Sequence, residues 1–329
     1  MSKRFAAILI AAVWAFASAP ASRAADVQVT IGSSPPGFTA IILAGGVAVF
    51  VSREVEGVSM SVPTTKGFVH NLRAMEAGTF EFMINATGLV AQAVAGLKPF
   101  KKKFEHIRGL LPIVDVPYHF VTLPSSGVVT VADLKGKRVN VGPKGGVTNL
   151  ITEILLSVAG ISKDISRERL NARAAGTALT DNRIAAFLRP APLPAGNIIE
   201  AGNVSGGVRI LPISGEFAEG ALKRMPGRSH MTIPAGLYKG VDKPVKVIGH
   251  SVFFAVRDTV PPDVVYKVVK GILSKKGEKF LKKVHKAMAK IYKLSPGFKS
   301  FTSANIKLHP GVERYWKEKG VEIPAHLAH

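Results

Sequence analysis

Three times in this sequence a short stretch rich in β-branched residues runs into a turn of glycine, proline, lysine and hydroxyl side chains, and then into a longer apolar segment. Val27 to Ile31 leads into Gly32-Ser33-Ser34-Pro35-Pro36-Gly37 and on to Thr39–Val51. Val58 to Val62 leads into Pro63-Thr64-Thr65-Lys66-Gly67 and on to Phe68–Ala77, where Gly78 is the stop. Arg138 to Val141 leads into Gly142-Pro143-Lys144-Gly145-Gly146 and on to Thr148–Ala159, stopped by Gly160. Strand followed by helix at this spacing is the pattern of an α/β fold with a parallel sheet and helices on both faces.

The rest of the chain extends the pattern. Strands are expected at Phe80–Ile84, opening into Asn85-Ala86-Thr87-Gly88, and at His119–Leu123, Ile184–Leu188, Val208–Ile213 and Lys246–Val256. Helices are expected at Ala172–Asp181 and Gly215–Met225. The alternation restarts near 119, so two α/β units are expected. Pro262 to Lys293 reads as helical and basic, with ten Lys against one acid, Glu278, from Lys267 to Lys293. Phe280, Leu281, Val284, Met288 and Ile291 supply its buried stripe.

Composition excludes several classes. The chain has 329 residues and no Cys, so it forms no disulfide and has no thiolate. Its nine His are scattered without a metal-binding spacing, so no metal is expected. No Ser stands in a nucleophile elbow, and Gly142–Gly146 lacks the Gly-Lys-Ser/Thr of a phosphate-binding loop. Neither catalysis nor a cofactor is expected. Residues 1–24 read as an export leader: Lys3 and Arg4, then apolar Phe5–Ala17, then Ser22-Arg23-Ala24 with small residues at a peptidase site. The apolar run is shorter than the roughly 20 residues of a membrane span. Cleavage near Ala24 would take Lys3, Arg4 and Arg23 and no acid from a net charge of +22, leaving +19. Such an excess attracts anions.

In open α/β sheets ligands sit beyond the carboxyl ends of the strands, where helix N-termini present free N–H groups and a positive dipole. The expected anion contacts are Gly32, Ser33, Ser34 and Gly37 from the first turn and Thr64, Thr65 and Lys66 from the second. Asn85 and Ala86 follow the third strand, and Lys144, Gly145, Gly146, Thr148 and Asn149 come from the turn in the second unit, with Arg189 added for its charge.

With these turns placed, the chain resembles the TAXI-type solute receptors of tripartite ATP-independent periplasmic (TRAP) transporters. The resemblance rests on Val29-Thr30-Ile31-Gly32-Ser33, on Pro63–Gly67 with Asn71-Leu72 and Ala77-Gly78, and on VADLKGKRVNVGPKGGVTN at 131–149. ILPISGE at 210–216, MTIPAGLYKGVD at 231–242 and LHPGVERYWKEKG at 308–320 follow in the family's order. It implies a bilobal type II periplasmic-binding-protein fold with a hinge and an interlobe cleft. Lobe one would span 25–118 and 235–329, and lobe two 119–234. It also implies a periplasmic location, a small carboxylate ligand such as glutamate, and a TRAP permease with small and large membrane subunits as partner. The chain departs from the family at Pro35-Pro36, at Ile41-Ile42, at Asn85 in place of Gln, and before Ala186-Phe187, where the usual acid is absent. Arg189-Pro190 stands in place of a small apolar stretch, and Lys66 and Lys144 replace smaller residues. The added charge points to a dicarboxylate. Two further readings are a permease-free ligand sensor of the same fold and a basic protein that binds polyanions or acidic membrane; nucleic acid is not expected as partner.

Overall fold

The computed structural model describes residues 26–329; the leader and its cleavage site lie outside them. Alternation in VQVTIG turns Val29 and Ile31 inward and makes β1 (Val27–Gly32), which passes through its turn into α1 (Thr39–Glu54). β2 (Val58–Ser61), α2 (Phe68–Glu76), β3 (Phe82–Ala86) and α3 (Thr87–Val94) complete the first parallel unit. β4 (Ile107–Thr122) then leaves it for a second unit of β5 (Arg138–Asn140), α4 (Val147–Val158), β6 (Ser166–Glu168), α5 (Ala172–Thr180) and β7 (Ala186–Pro190). That unit continues with α6 (Gly196–Val204), β8 (Arg209–Leu211), α7 (Gly215–Arg224) and β9 (Ser229–Ile233). β10 (Val245–Arg257) returns to the first unit, which ends with α8 (Pro262–Ile272), α9 (Lys275–Val284), α10 (Ile291–Leu294), α11 (Phe298–Ala304) and α12 (Pro310–Glu318).

The strand order is β2-β1-β3-β10-β4-β7-β5-β6, with β8 beside β4 and β9 beside β10. Two long antiparallel strands, β4 and β10, therefore run through both lobes of a two-lobed α/β molecule. One buried cluster, with Leu72, Phe82, Phe254, Val265 and Phe301, fills the first lobe. The second lobe has two clusters, one on each side of its sheet. Phe120 and Leu188 join one and Val121 and Phe187 the other, as the alternation of side chains along a strand requires. The buried residues change cluster between Val116 and Tyr118 on the way out and between Ile248 and Phe253 on the way back. Tyr238, Val241 and Val247, ahead of that second change, pack in the second lobe's clusters.

Three expectations need correction. A strand was expected only at His119–Leu123, but β4 begins at Ile107. Two prolines lie within it: register shifts opposite Val252/Phe253 and Phe254/Ala255 accommodate Pro112, and Pro117 lies at the crossover. Asn85 and Ala86 are the last two residues of β3, not the loop beyond it. The basic span is divided, because Ser274 accepts the Gly277 N–H at 3.0 Å and starts α9 anew.

Candidate interlobe anion site

Backbone register fixes where the turns face. β1, β2 and β3 are parallel, and β10 runs antiparallel to β3 with Val252 beside Ala86 and Val256 beside Phe82. The end of β3 at Ala86 is therefore the end at which β10 enters from the second lobe. In that lobe β7 runs antiparallel to β4, with Tyr118 beside Pro190 and Thr122 beside Ala186, and β5 and β6 run parallel to β7. Their carboxyl ends point back toward the first lobe. Both sets of strand ends thus face one another across the β4–β10 crossover.

In the first lobe the polar side chains tie the turns together. Ser33 is fully buried and its hydroxyl donates to the Pro63 carbonyl at 2.7 Å, while Asn71 Nδ2 donates to the Ser33 carbonyl at 2.7 Å. Ser34 Oγ accepts the Ile41 N–H at 3.1 Å, and the Thr65 N–H reaches the Ser34 carbonyl at 3.5 Å. Thr65 Oγ1 accepts the Gly67 N–H at 3.1 Å. Asn85 has its amide committed, donating to the Phe68 carbonyl and accepting from the Ala86 N–H, both at 2.9 Å. Buried Gly32 ends β1, and Ala86 is buried as well. Gly37, Thr64 and Lys66 are exposed.

In the second lobe Lys144 and Gly145 are exposed, and Gly146, Thr148 and Asn149 are half-buried. Asn149 Nδ2 donates to the Val141 carbonyl at 3.4 Å. Arg189, near the end of β7, is half-buried; its Nε lacks a hydrogen-bond partner, and burial lowers its pKa. A desolvated guanidinium with an unused donor is costly and is relieved by an anion. Behind it, the buried His119 donates from Nδ1 to the Arg189 carbonyl at 2.9 Å, which leaves Nε2 to accept from Tyr238 at 3.0 Å. Tyr238 Oη in turn accepts the Ala195 N–H at 2.9 Å, and burial holds His119 neutral with its pKa lowered to about 4.

The two lobes present the same turn. Phe38 N–H reaches the Pro35 carbonyl at 3.4 Å and Gly146 N–H the Pro143 carbonyl at 3.0 Å. Gly37 and Gly145 occupy the third position of each turn with φ of +86° and +77°. A positive φ at that position alone is the signature of a type II turn and selects glycine. The N-cap residues of α1, α2, α3 and α4 offer no side-chain cap, so backbone N–H groups stand open at these helix starts along the facing edges, except the Ile41 N–H that Ser34 takes in α1.

Residue-type reasoning missed a second cation and its holders. Arg228 precedes β9 and donates from Nε to Tyr118 Oη at 3.2 Å and from Nη1 to the Pro226 carbonyl at 2.7 Å. Its guanidinium lies against Gly88 at the first turn of α3, where even a Cβ would collide with it. Thr87 Oγ1 donates to the Gly227 carbonyl at 2.5 Å and accepts the Ser251 N–H at 3.2 Å, so the lobes touch here. Among the described residues no carboxylate pairs with Arg189 or Arg228. His250, 3.1 Å from Tyr118 Oη, is held neutral by burial and then by the Arg228 charge, with a pKa of about 4. The sequence signal was a lone Arg in a Pro-Gly turn, which nothing local distinguishes from a surface charge. Two cavities, of about 450 and 590 Å³, lie away from the facing turns, beside Arg209 and Lys246 and beside Phe104 and Arg108.

The fold is that of solute-binding proteins. A TctC solute binding protein from Polaromonas aligns at a TM-score of 0.52 with 17% identity, over 80% of this chain and 88% of that one. The putative periplasmic sulfonate-binding protein SsuA from Methylobacillus flagellatus KT aligns at 0.47 with 13% identity, over 85% and 86%. Substrate binding domain 2 of Lactococcus lactis GlnP aligns at 0.39 with 13% identity, over 84% and 97%. The model of the NMT1-like family matches residues 31–320. By that match over most of its length, the chain belongs to the NMT1-like family.

Proposed function

We propose that this protein is an extracytoplasmic solute receptor that holds a small carboxylate between its lobes and delivers it to a membrane transporter. The observation that carries the reading is the facing of the carboxyl strand ends of both lobes across the crossover, lined by helix N-termini whose N-cap residues offer no side-chain cap. Cations stand at that gap, and among the described residues none of them has an ion-pair partner: Arg189 and Arg228 half-buried, Lys66 and Lys144 at its rim. The charge excess draws anions toward it. Receptors of this build close by rotating one lobe on the other; β4 and β10 form the hinge, and lobe one comprises residues up to about 117 and from about 250 onward. The role is binding, not catalysis.

A ligand with two carboxylates fits best, because the lobes offer equivalent type II turns, each followed by an open helix start. The ordered motif resemblance favours a TRAP permease with small and large membrane subunits as the partner, and the leader favours the periplasm. A thermal-shift screen of the mature chain against mono-, di- and tricarboxylates, sulfonates, amino acids and polyamines tests the reading. Stabilisation by carboxylates is expected, strongest for dicarboxylates; stabilisation by neutral or cationic solutes alone refutes it.

A further inference from the structure

The outer face of the first lobe carries a surface that, apart from Phe38 at the Pro35–Phe38 turn, ligand capture leaves unused. α1 and α9 pack side by side and antiparallel: Val284 covers Gly46, Phe280 meets Phe50 with ring centroids 5.6 Å apart, and Lys276 pairs with Glu54. On α9, Gly277 and Leu281 point inward, while Lys275, Lys276, Lys279, Lys282 and Lys283 are exposed within about 120° of arc. Exposed Lys286 follows in the next turn. Among the described residues no carboxylate lies within ion-pair distance of Lys275, Lys279, Lys283 or Lys286. On α1, Ile42 and Val49 are half exposed and Phe38, just before its first turn, is 63% exposed. With Arg53 they form one stripe within about 60° of arc.

The two stripes share a face. On each helix the outward stripe lies about 100° from the side that meets its partner, turned in the same sense along the helix. In an antiparallel pair, equal rotations of this sense bring both stripes to the same side. The lobe therefore presents an apolar ridge beside a row of unpaired lysines.

We propose that this face docks on an anionic lipid bilayer, with Phe38, Ile42 and Val49 entering the headgroup layer and the α9 lysines meeting lipid phosphates. Exposed aliphatic side chains beside lysine are the composition of an interfacial helix. A nucleic acid would use the charges and leave the aliphatic ridge in water.

Co-sedimentation of the mature chain with phosphatidylcholine vesicles, with and without phosphatidylglycerol, tests this. Binding is expected only with phosphatidylglycerol and weakens as salt rises. Each lysine at such a surface strengthens binding about fivefold, so K275Q/K279Q/K283Q/K286Q lowers it on the order of a hundredfold or more. I42S/V49S weakens binding several-fold and leaves the salt slope unchanged. All six side chains are exposed or half exposed, and thermal unfolding of each variant confirms the fold. Absence of binding to phosphatidylglycerol overturns the proposal, as does binding that the lysine variant leaves unchanged. Equally tight binding to duplex DNA that I42S/V49S does not alter makes the surface a plain polyanion site and also overturns it. Loss of solute uptake in the lysine variant without vesicle binding assigns the face to the permease instead.

Discussion

Arg189 is the residue at which stability and binding pull apart. Its Nε is buried without a hydrogen-bond partner, a desolvation cost that the proposed anion would relieve. Arg189→Ala is expected to weaken carboxylate binding by about tenfold to a hundredfold, the range of one hydrogen bond between charged groups, without lowering the unfolding midpoint. Calorimetric titration beside thermal unfolding measures both; a midpoint that falls while affinity holds makes Arg189 structural. Arg228 is coupled differently, since Tyr118 and Pro226 hold its guanidinium against α3. At the neighbouring Gly227, a Cβ would meet the Thr87 carbonyl, so Gly227→Ala is expected to force the lobes apart at this contact and weaken binding while each lobe stays folded. Small-angle scattering shows this as a larger radius of gyration without ligand; an unchanged radius contradicts it. Of the residues singled out from sequence, Ser33, Ser34, Thr65 and Asn85 spend side-chain hydrogen bonds within the first lobe itself. Their polar atoms bind turn to turn, because a buried turn must satisfy its own backbone before it can serve a ligand. Residue type cannot say which partner a hydroxyl takes. Arg228 stayed hidden because its neighbours, Tyr118 and Gly88, are more than a hundred residues away.

Among the elements, helix starts were the more legible feature and long strands the less. Glycine and proline marked the turns before α1 and α4 because the third position of a type II turn selects glycine, as does the stop after α2 at Gly78. β4 was only partly legible, since prolines stand in it at a bulge and at the crossover, places where the ladder does not need their N–H. The break between α8 and α9 was missed although Ser274 stands at it, because the lysine run dominates the pattern. That cap gives an element-scale prediction. Ser274→Ala removes the acceptor for the Gly277 N–H and is expected to cost about 1 kcal/mol of stability. Urea unfolding reads the loss, with the denaturant slope unchanged. No change in midpoint would mean that water replaces the cap at no cost.

The whole molecule responds to acid through its buried histidines. Burial lowers the pKa of His119, His250 and His309 to about 4 from the ordinary 6.5. A group whose folded pKa is depressed is neutral when folded but takes up a proton in the unfolded chain, so its stability is present above pH 6.5 and lost as the pH falls toward 4. Unfolding midpoints are therefore expected to fall between pH 7 and pH 4.5, and a midpoint constant over that window removes the buried histidines as its cause. The two-lobed architecture was legible in the restart of the strand–helix alternation. The crossover was not, because β10 reads as one strand and the polar Gly249-His250-Ser251 at its change of core is too short to interrupt that pattern. The central claim is that both lobes grip one anion. The most direct measurement is calorimetric titration of the mature chain with the dicarboxylate that stabilises it most, for the native protein, for Arg189→Ala and for Thr64→Ala/Lys66→Ala. One ligand per chain is predicted, with affinity reduced by substitutions in either lobe. Binding that survives the change in one lobe undiminished, or binding of uncharged solutes alone, would contradict it.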